Sequence, residues 1–81
     1  MSGIGTRAIV EINQTANRFT SSIVIQLDSK IIDAKSILGL SMTLLSSQKY
    51  TLEIHGPDEV EAKSAMIDVF RKHDLIVELK A

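Results

Sequence analysis

The sequence predicts an α+β fold, ordered αββαβαβ, with an antiparallel or mixed sheet and its helices on one face. Three observations carry this. Two β-branched runs, IVIQL at 23–27 and KIIDA at 30–34, flank Asp28-Ser29 and read as a hairpin. Two stretches, 36–46 and 58–73, space their apolar residues three and four apart, as helices do. Each is followed by a strand-like run, at 50–55 and at 75–79. A chain of 81 residues is sized for one small domain, 1–81, and shows no repeat, linker or low-complexity segment.

Taken in order, the first segment runs from Gly5 to about Phe19. Ala8, Ile9, Ile12, Ala16 and Phe19 lie at helical spacing, while the run 8–12 is β-branched enough to fit a strand. In the hairpin, Ile23, Ile25 and Leu27 share one face by alternation. Ser36 opens the next helix, whose expected buried stripe is Ile37, Leu40, Leu44 and Leu45. In the strand 50–55, Leu52 and Ile54 point one way and Thr51, Glu53 and His55 the other. Gly56-Pro57 breaks the chain, and Asp58 with Glu61 reads as a capping box for a helix with the apolar face Ala62, Met66, Val69 and Phe70. Acidic residues in its first turn and Arg71-Lys72-His73 in its last suit the helix dipole. The strand 75–79 closes the chain.

The totals narrow the function. A net charge of −1 gives no polyanion-binding surface, so no nucleic-acid partner is expected. The absence of cysteine excludes disulfides, thiol catalysis and cysteine metal sites, and it suits a reducing cytoplasm. The opening MSGIGTR lacks the apolar core of a signal peptide, and no run approaches the roughly 20 residues that span a bilayer, so a cytoplasmic, non-membrane protein is expected. Asn13-Gln14-Thr15 matches a glycosylation sequon, which without secretion is chance.

No catalytic set, metal site or cofactor motif emerges, and no enzyme is expected. His55 falls at a strand end and His73 at a helix C-terminus; both read as surface residues, since a metal site needs several converging ligands. Gly3-Ile4-Gly5 is not a dinucleotide fingerprint, because the third glycine and the preceding strand are missing. It could still lead into a helix whose free N–H groups hold an anion, at Gly5, Thr6 and Arg7. The simpler reading there is a flexible N-terminus. Ser36 likewise has two readings, a helix cap and a phosphorylation site.

Three blocks, SGIGTRA at 2–8, ANRFTS at 16–21 and DAKSILGL at 33–40, together resemble the HPr family, the phosphocarriers of the sugar phosphotransferase system. The resemblance runs from about residue 2 to 72 and is nearest to the histidine-less regulatory branch typified by Crh. It implies an open-faced sandwich and makes the first segment a helix. The family's phosphorylatable histidine falls on Gly5, which has no nucleophile, so the phosphorelay cannot pass through it. The family arginine is kept as Arg7, and the following proline is lost at Ala8.

The family's regulatory serine falls on Ser36, flanked by Lys35 and Ile37. Leu38 and Gly39 match the family patch that docks on a bifunctional HPr kinase/phosphorylase and on a catabolite control repressor. Ser41 departs from the apolar residue usual there. The resemblance therefore implies a non-catalytic regulator in carbon catabolite control, phosphorylated at Ser36. The alternatives are an HPr-fold scaffold with no phosphorylation and, last, a phosphocarrier using His55 or His73.

The family begins with a strand ahead of the active loop, whereas this chain begins at the loop and adds the strand 75–79. Only His73-Asp74 separates that strand from the helix before it. It should therefore run parallel to 50–55 and either fill the vacant edge in reversed sense or pair with a second chain, giving a homodimer through the sheet edge or through the strand from Leu75 to Leu79.

Overall fold

The structure, a computed structural model, describes residues 5–27, 30–43 and 49–80. The elements appear in the predicted order: α1 (Thr6–Ala16), β1 (Ser22–Leu27), β2 (Lys30–Asp33), α2 (Ile37–Thr43), β3 (Tyr50–His55), α3 (Glu59–Lys72) and β4 (Val77–Leu79). The turn at Asp28-Ser29, the apolar residues Leu44 and Leu45, and Gly3 lie outside the described residues.

The sheet has the order β2-β1-β3-β4. β1 is antiparallel to both β2 and β3, and its register with β3 pairs Ile23 with Ile54 and Ile25 with Leu52. These side chains fall on one face, where they meet Ile9, Ile12 and Ala16 of α1 and Ala62, Met66 and Phe70 of α3 in one buried cluster. Helical spacing on α1 and α3 and alternation on the strands thus converge on the same core. Within it the Tyr50 and Phe70 rings lie 5.7 Å apart and tilted by 58°, an edge-on geometry that aromatic quadrupoles favour.

β4 runs parallel to β3 and closes its edge in the reversed sense, as the short connection requires. The Tyr50 N–H donates to the Ile76 carbonyl at 2.9 Å, and the Lys80 N–H donates to the Leu52 carbonyl at 2.8 Å. The connection is a Schellman ending to α3. Asp74 N–H donates to Arg71, Leu75 N–H donates back to Phe70, and Asp74 takes the left-handed φ of 59°. Leu75 is thereby turned into the core beside Phe70.

Three expectations need correction. Asp58 precedes α3 but makes no side-chain cap bond, and Glu61 is exposed. The Asp58 carboxylate turns instead to the loop before β1, accepting from the N–H of Thr20 and of Ser21, both at 2.9 Å, and from both their hydroxyls. Its own N–H donates to Ser21 Oγ at 3.2 Å. Four donors on one carboxylate outweigh the single bond of a cap, and Ser21 Oγ, Thr20 N–H and the other donors hold the Asp58 carboxyl down at about 2. Glu59, the first helical residue, accepts the Gly56 N–H on its Oε1 at 3.1 Å, which lowers its carboxyl.

Ile37 is the second correction: it is 43% exposed, while Leu40 is fully buried. As the first helical residue of α2, its side chain leans back past the helix start rather than down onto the sheet. The third is His73, whose side chain is only 17% exposed and lies 3.4 Å from Glu11 of α1. Lys72 meets the same carboxylate at 2.7 Å, and its hydrogen bond is the main reason the Glu11 carboxyl is lowered. These contacts pin the end of α3 to α1.

Candidate functional site

Ser36 stands exposed at the start of α2, after a tight turn in which its N–H donates to the Asp33 carbonyl at 3.0 Å. Its Oγ accepts the Gly39 N–H at 3.2 Å, and its carbonyl accepts the first helical bond, from Leu40. This is the N-cap the sequence suggested, with the side-chain oxygen on the third helical N–H. The turn before it is an Asx turn, with Asp33 Oδ1 accepting from Lys35 N–H at 2.9 Å.

Three long-range bonds fasten this turn to α1 and to the residues that follow it. Asn13 Nδ2 donates to the Ala34 carbonyl at 3.3 Å, Asn17 Nδ2 to the Lys35 carbonyl at 3.4 Å, and Lys35 Nζ to the Phe19 carbonyl at 2.7 Å. The Arg18 guanidinium covers the Phe19 ring at 5.6 Å. The Lys35 ammonium is thus committed to the loop beside it. Sequence reasoning found Lys35 but not this bond, nor the two asparagines, because partners 16 to 21 residues away leave no local pattern.

Beside Ser36, Leu38 is 73% exposed and continues the apolar surface of Ile37. Gly39 lies beneath them, close on β2: a Cβ there would come within 3.0 Å of Ile32 Cγ2 and 3.5 Å of Ser36 Oγ. The Ser41 hydroxyl donates to the Leu38 carbonyl at 3.0 Å, within its own helix. The structure therefore gathers Ser36, Ile37, Leu38 and Gly39 into one surface.

Gly5, Thr6 and Arg7 lie elsewhere, at the start of α1. Gly5 is extended there, offers no side-chain cap, and has open space around its Cα. Thr6 and Arg7 are exposed, and no acidic residue occupies this first turn. From Arg7 to Asn13, which holds the Ser36 turn, is about 9 Å along the helix axis. The two groups thus stand on different elements, the start of α1 and the start of α2.

His55 sits on the open face of the sheet, its side chain 73% exposed and 3.3 Å from Glu53. His73 sits at the C-terminal cap of α3. Neither is at a helix N-terminus. Among the described residues no group of three or more His, Cys, Asp or Glu could hold a metal, and no helix is long and apolar enough to cross a membrane.

Comparison with known proteins gives consistent results. The chain is 44% identical over 71 residues to the HPr-like protein Crh of Halalkalibacterium halodurans, covering 86% of this chain and 84% of that one. To the Crh of Bacillus subtilis it is 41% identical over 61 residues, 74% of this chain and 72% of that one. The crystal structure of Bacillus subtilis Crh, described as a domain-swapped, intertwined dimer, superposes with a TM-score of 0.78 at 35% identity, covering 91% of this chain and 86% of that one. Residues 1–72 match the family model described as the PTS HPr component phosphorylation site, and the chain belongs to the HPr family.

Proposed function

We propose that this chain is a Crh-like regulator, phosphorylated on Ser36 Oγ by an HPr kinase/phosphorylase and acting in carbon catabolite control. The observation that carries the reading is an exposed serine capping α2 beside the exposed Ile37 and Leu38. An Oγ that accepts one bond from Gly39 keeps its own hydrogen for a base on the kinase. Attack of Oγ on the γ-phosphorus of ATP then leaves ADP and a phosphoserine. The new group brings about −1.5 to −2 charges to a helix N-terminus, where the dipole accommodates them.

Ile37, Leu38 and Gly39 form the surface that the kinase and a catabolite control repressor read. Lys35 contributes by fixing the turn through Phe19. Arg7, with the helix start at Gly5 and Thr6, supplies a second, cationic contact for an anionic group on a partner. Gly5 offers no nitrogen to carry phosphate, so the protein is a regulator rather than a relay and catalyses no reaction itself. It works in the cytoplasm, where such a kinase and its ATP are found.

Incubation with HPr kinase and ATP, read by intact mass and fragment sequencing, should add one phosphate at Ser36. A Ser36→Ala variant should take up none. Full-length protein that stays unmodified by an active kinase would remove the reading and leave an HPr-fold scaffold.

A further inference from the structure

We propose that the groove between α1 and α3 is a binding site for a free α-amino acid, held as its zwitterion. The proposal is independent of phosphorylation at Ser36. Glu11 and Thr15 stand one turn apart on α1, and Arg18 follows just beyond the helix. On α3, Ala65, Asp68 or Val69, and Lys72 recur three and four apart and so share a face. These two rows line an open groove of about 390 Å³, toward the lower end of the ~300–1,000 Å³ usual for small-ligand sites. Asn13 and Asn17, which hold the Ser36 turn, do not line it.

The groove is built from charges that do not all satisfy one another. At one end Lys72 closes on Glu11 at 2.7 Å. Arg18 and Asp68 line the rest, yet neither forms an ion pair with any other described residue, and the Thr15 hydroxyl makes no hydrogen bond among them. The Arg18 guanidinium is already placed, over the Phe19 ring at 5.6 Å, a stacking that leaves the N–H donors at its edge for a carboxylate. Between the charged walls, half-buried Ala65 and buried Val69 form an apolar floor.

Two cations and two carboxylates leave the groove with no net charge. A simple anion drawn to Arg18 meets Asp68, and a simple cation drawn to Asp68 meets Arg18. An α-amino acid carries both charges on one carbon. Its carboxylate accepts from the Arg18 N–H groups, while its ammonium donates to the Asp68 carboxylate and to Thr15 Oγ. Its side chain then lies over Val69, toward the Glu11–Lys72 pair.

The probe is L-leucine, titrated into the isotope-labelled full chain and followed by two-dimensional amide NMR. Affinity should be about millimolar, as expected of so few atoms at an open site, with the shifted amides clustered on residues 15–18 and 65–69. N-acetyl-leucine lacks the ammonium and leucinamide lacks the carboxylate. Each should bind about tenfold more weakly, the loss of one charge-assisted hydrogen bond. Arg18→Gln and Asp68→Asn should each weaken leucine binding by a similar factor; both positions are exposed, and melts should show both variants folded. No clustered shifts at about 20 mM leucine, well above a millimolar Kd, would overturn the proposal. So would equal binding of either analogue, or unchanged leucine binding in either variant.

Discussion

Gly56→Ala tests the junction between the β3–α3 turn and the loop before β1. A Cβ at Gly56 would lie 2.5 Å from Ser21 Oγ, 2.6 Å from Ser21 Cα and 2.7 Å from Ser21 Cβ. Rotating the Ser21 hydroxyl away does not help, because its Cα is as close. That Cα cannot retreat either, since the N–H groups of Thr20 and Ser21 are both bound to Asp58. The glycine also has φ of +151°, a region that residues with a Cβ rarely adopt. Such a backbone costs about 1–3 kcal/mol, and forcing an extra methyl into a packed site costs about 1–3 kcal/mol more.

The expected loss is therefore about 2–6 kcal/mol, against a total stability of about 4–12 kcal/mol for a chain of this length. A loss of 3 kcal/mol corresponds to a melting temperature lower by about 18 °C, from the usual unfolding entropy per residue. Urea titration and thermal melts followed by circular dichroism measure it. Combining Gly56→Ala with Ser21→Gly should recover only part of the loss, because the Ser21 backbone stays in place. A Gly56→Ala protein within about 0.5 kcal/mol of the parent, the range of an ordinary surface substitution, would refute the close approach of these two backbones.

Two further outcomes are expected. Ser36→Ala removes the cap on Gly39 and should cost about 1 kcal/mol, or about 6 °C in melting temperature, whereas Ser36→Asp keeps an acceptor there and should stay near the parent; paired melts decide it. The acid limb of stability should follow Asp58. Its folded pKa of about 2 lies below the unfolded value of 3.8, so between these values the unfolded chain binds the extra proton. The stability it contributes is present above about pH 4 and is lost as the pH falls toward 2. Urea midpoints taken across that range should decline, and Asp58→Asn should flatten the decline.

Much of the fold was legible in the sequence. The order of elements, the strand faces and the parallel sense of β4 follow from periodicity and from a two-residue connection. What escaped was every choice made between distant segments. Asp58 carries a local signal for a cap, but residues 37 and 38 positions earlier offer it more donors, and nothing in the sequence near Asp58 announces them. Ile37 fits the buried stripe by spacing, yet α2 turns Leu40 into the core and sets Gly39 close on Ile32, while Ile37 stays 43% exposed. His73 ends a helix and so looked solvated, until α1 placed Glu11 over it.

The site was read in the same uneven way. Ser36 and its apolar neighbours were legible because a cap and an exposed patch are local features. The tethers from Asn13, Asn17 and Lys35 were not, although they set the angle at which Ser36 is presented.

The place of β4 also has a consequence during synthesis. The β3 edge is complete at His55, but Lys80, the last residue that bonds to it, is made twenty-five residues later. At ordinary elongation speeds of 5–20 residues per second, that is a delay of roughly 1–5 s. Over that interval β3, whose end is at most twenty-five residues back, is still within the exit tunnel of the ribosome, so its edge is not yet open to a partner when Lys80 is added.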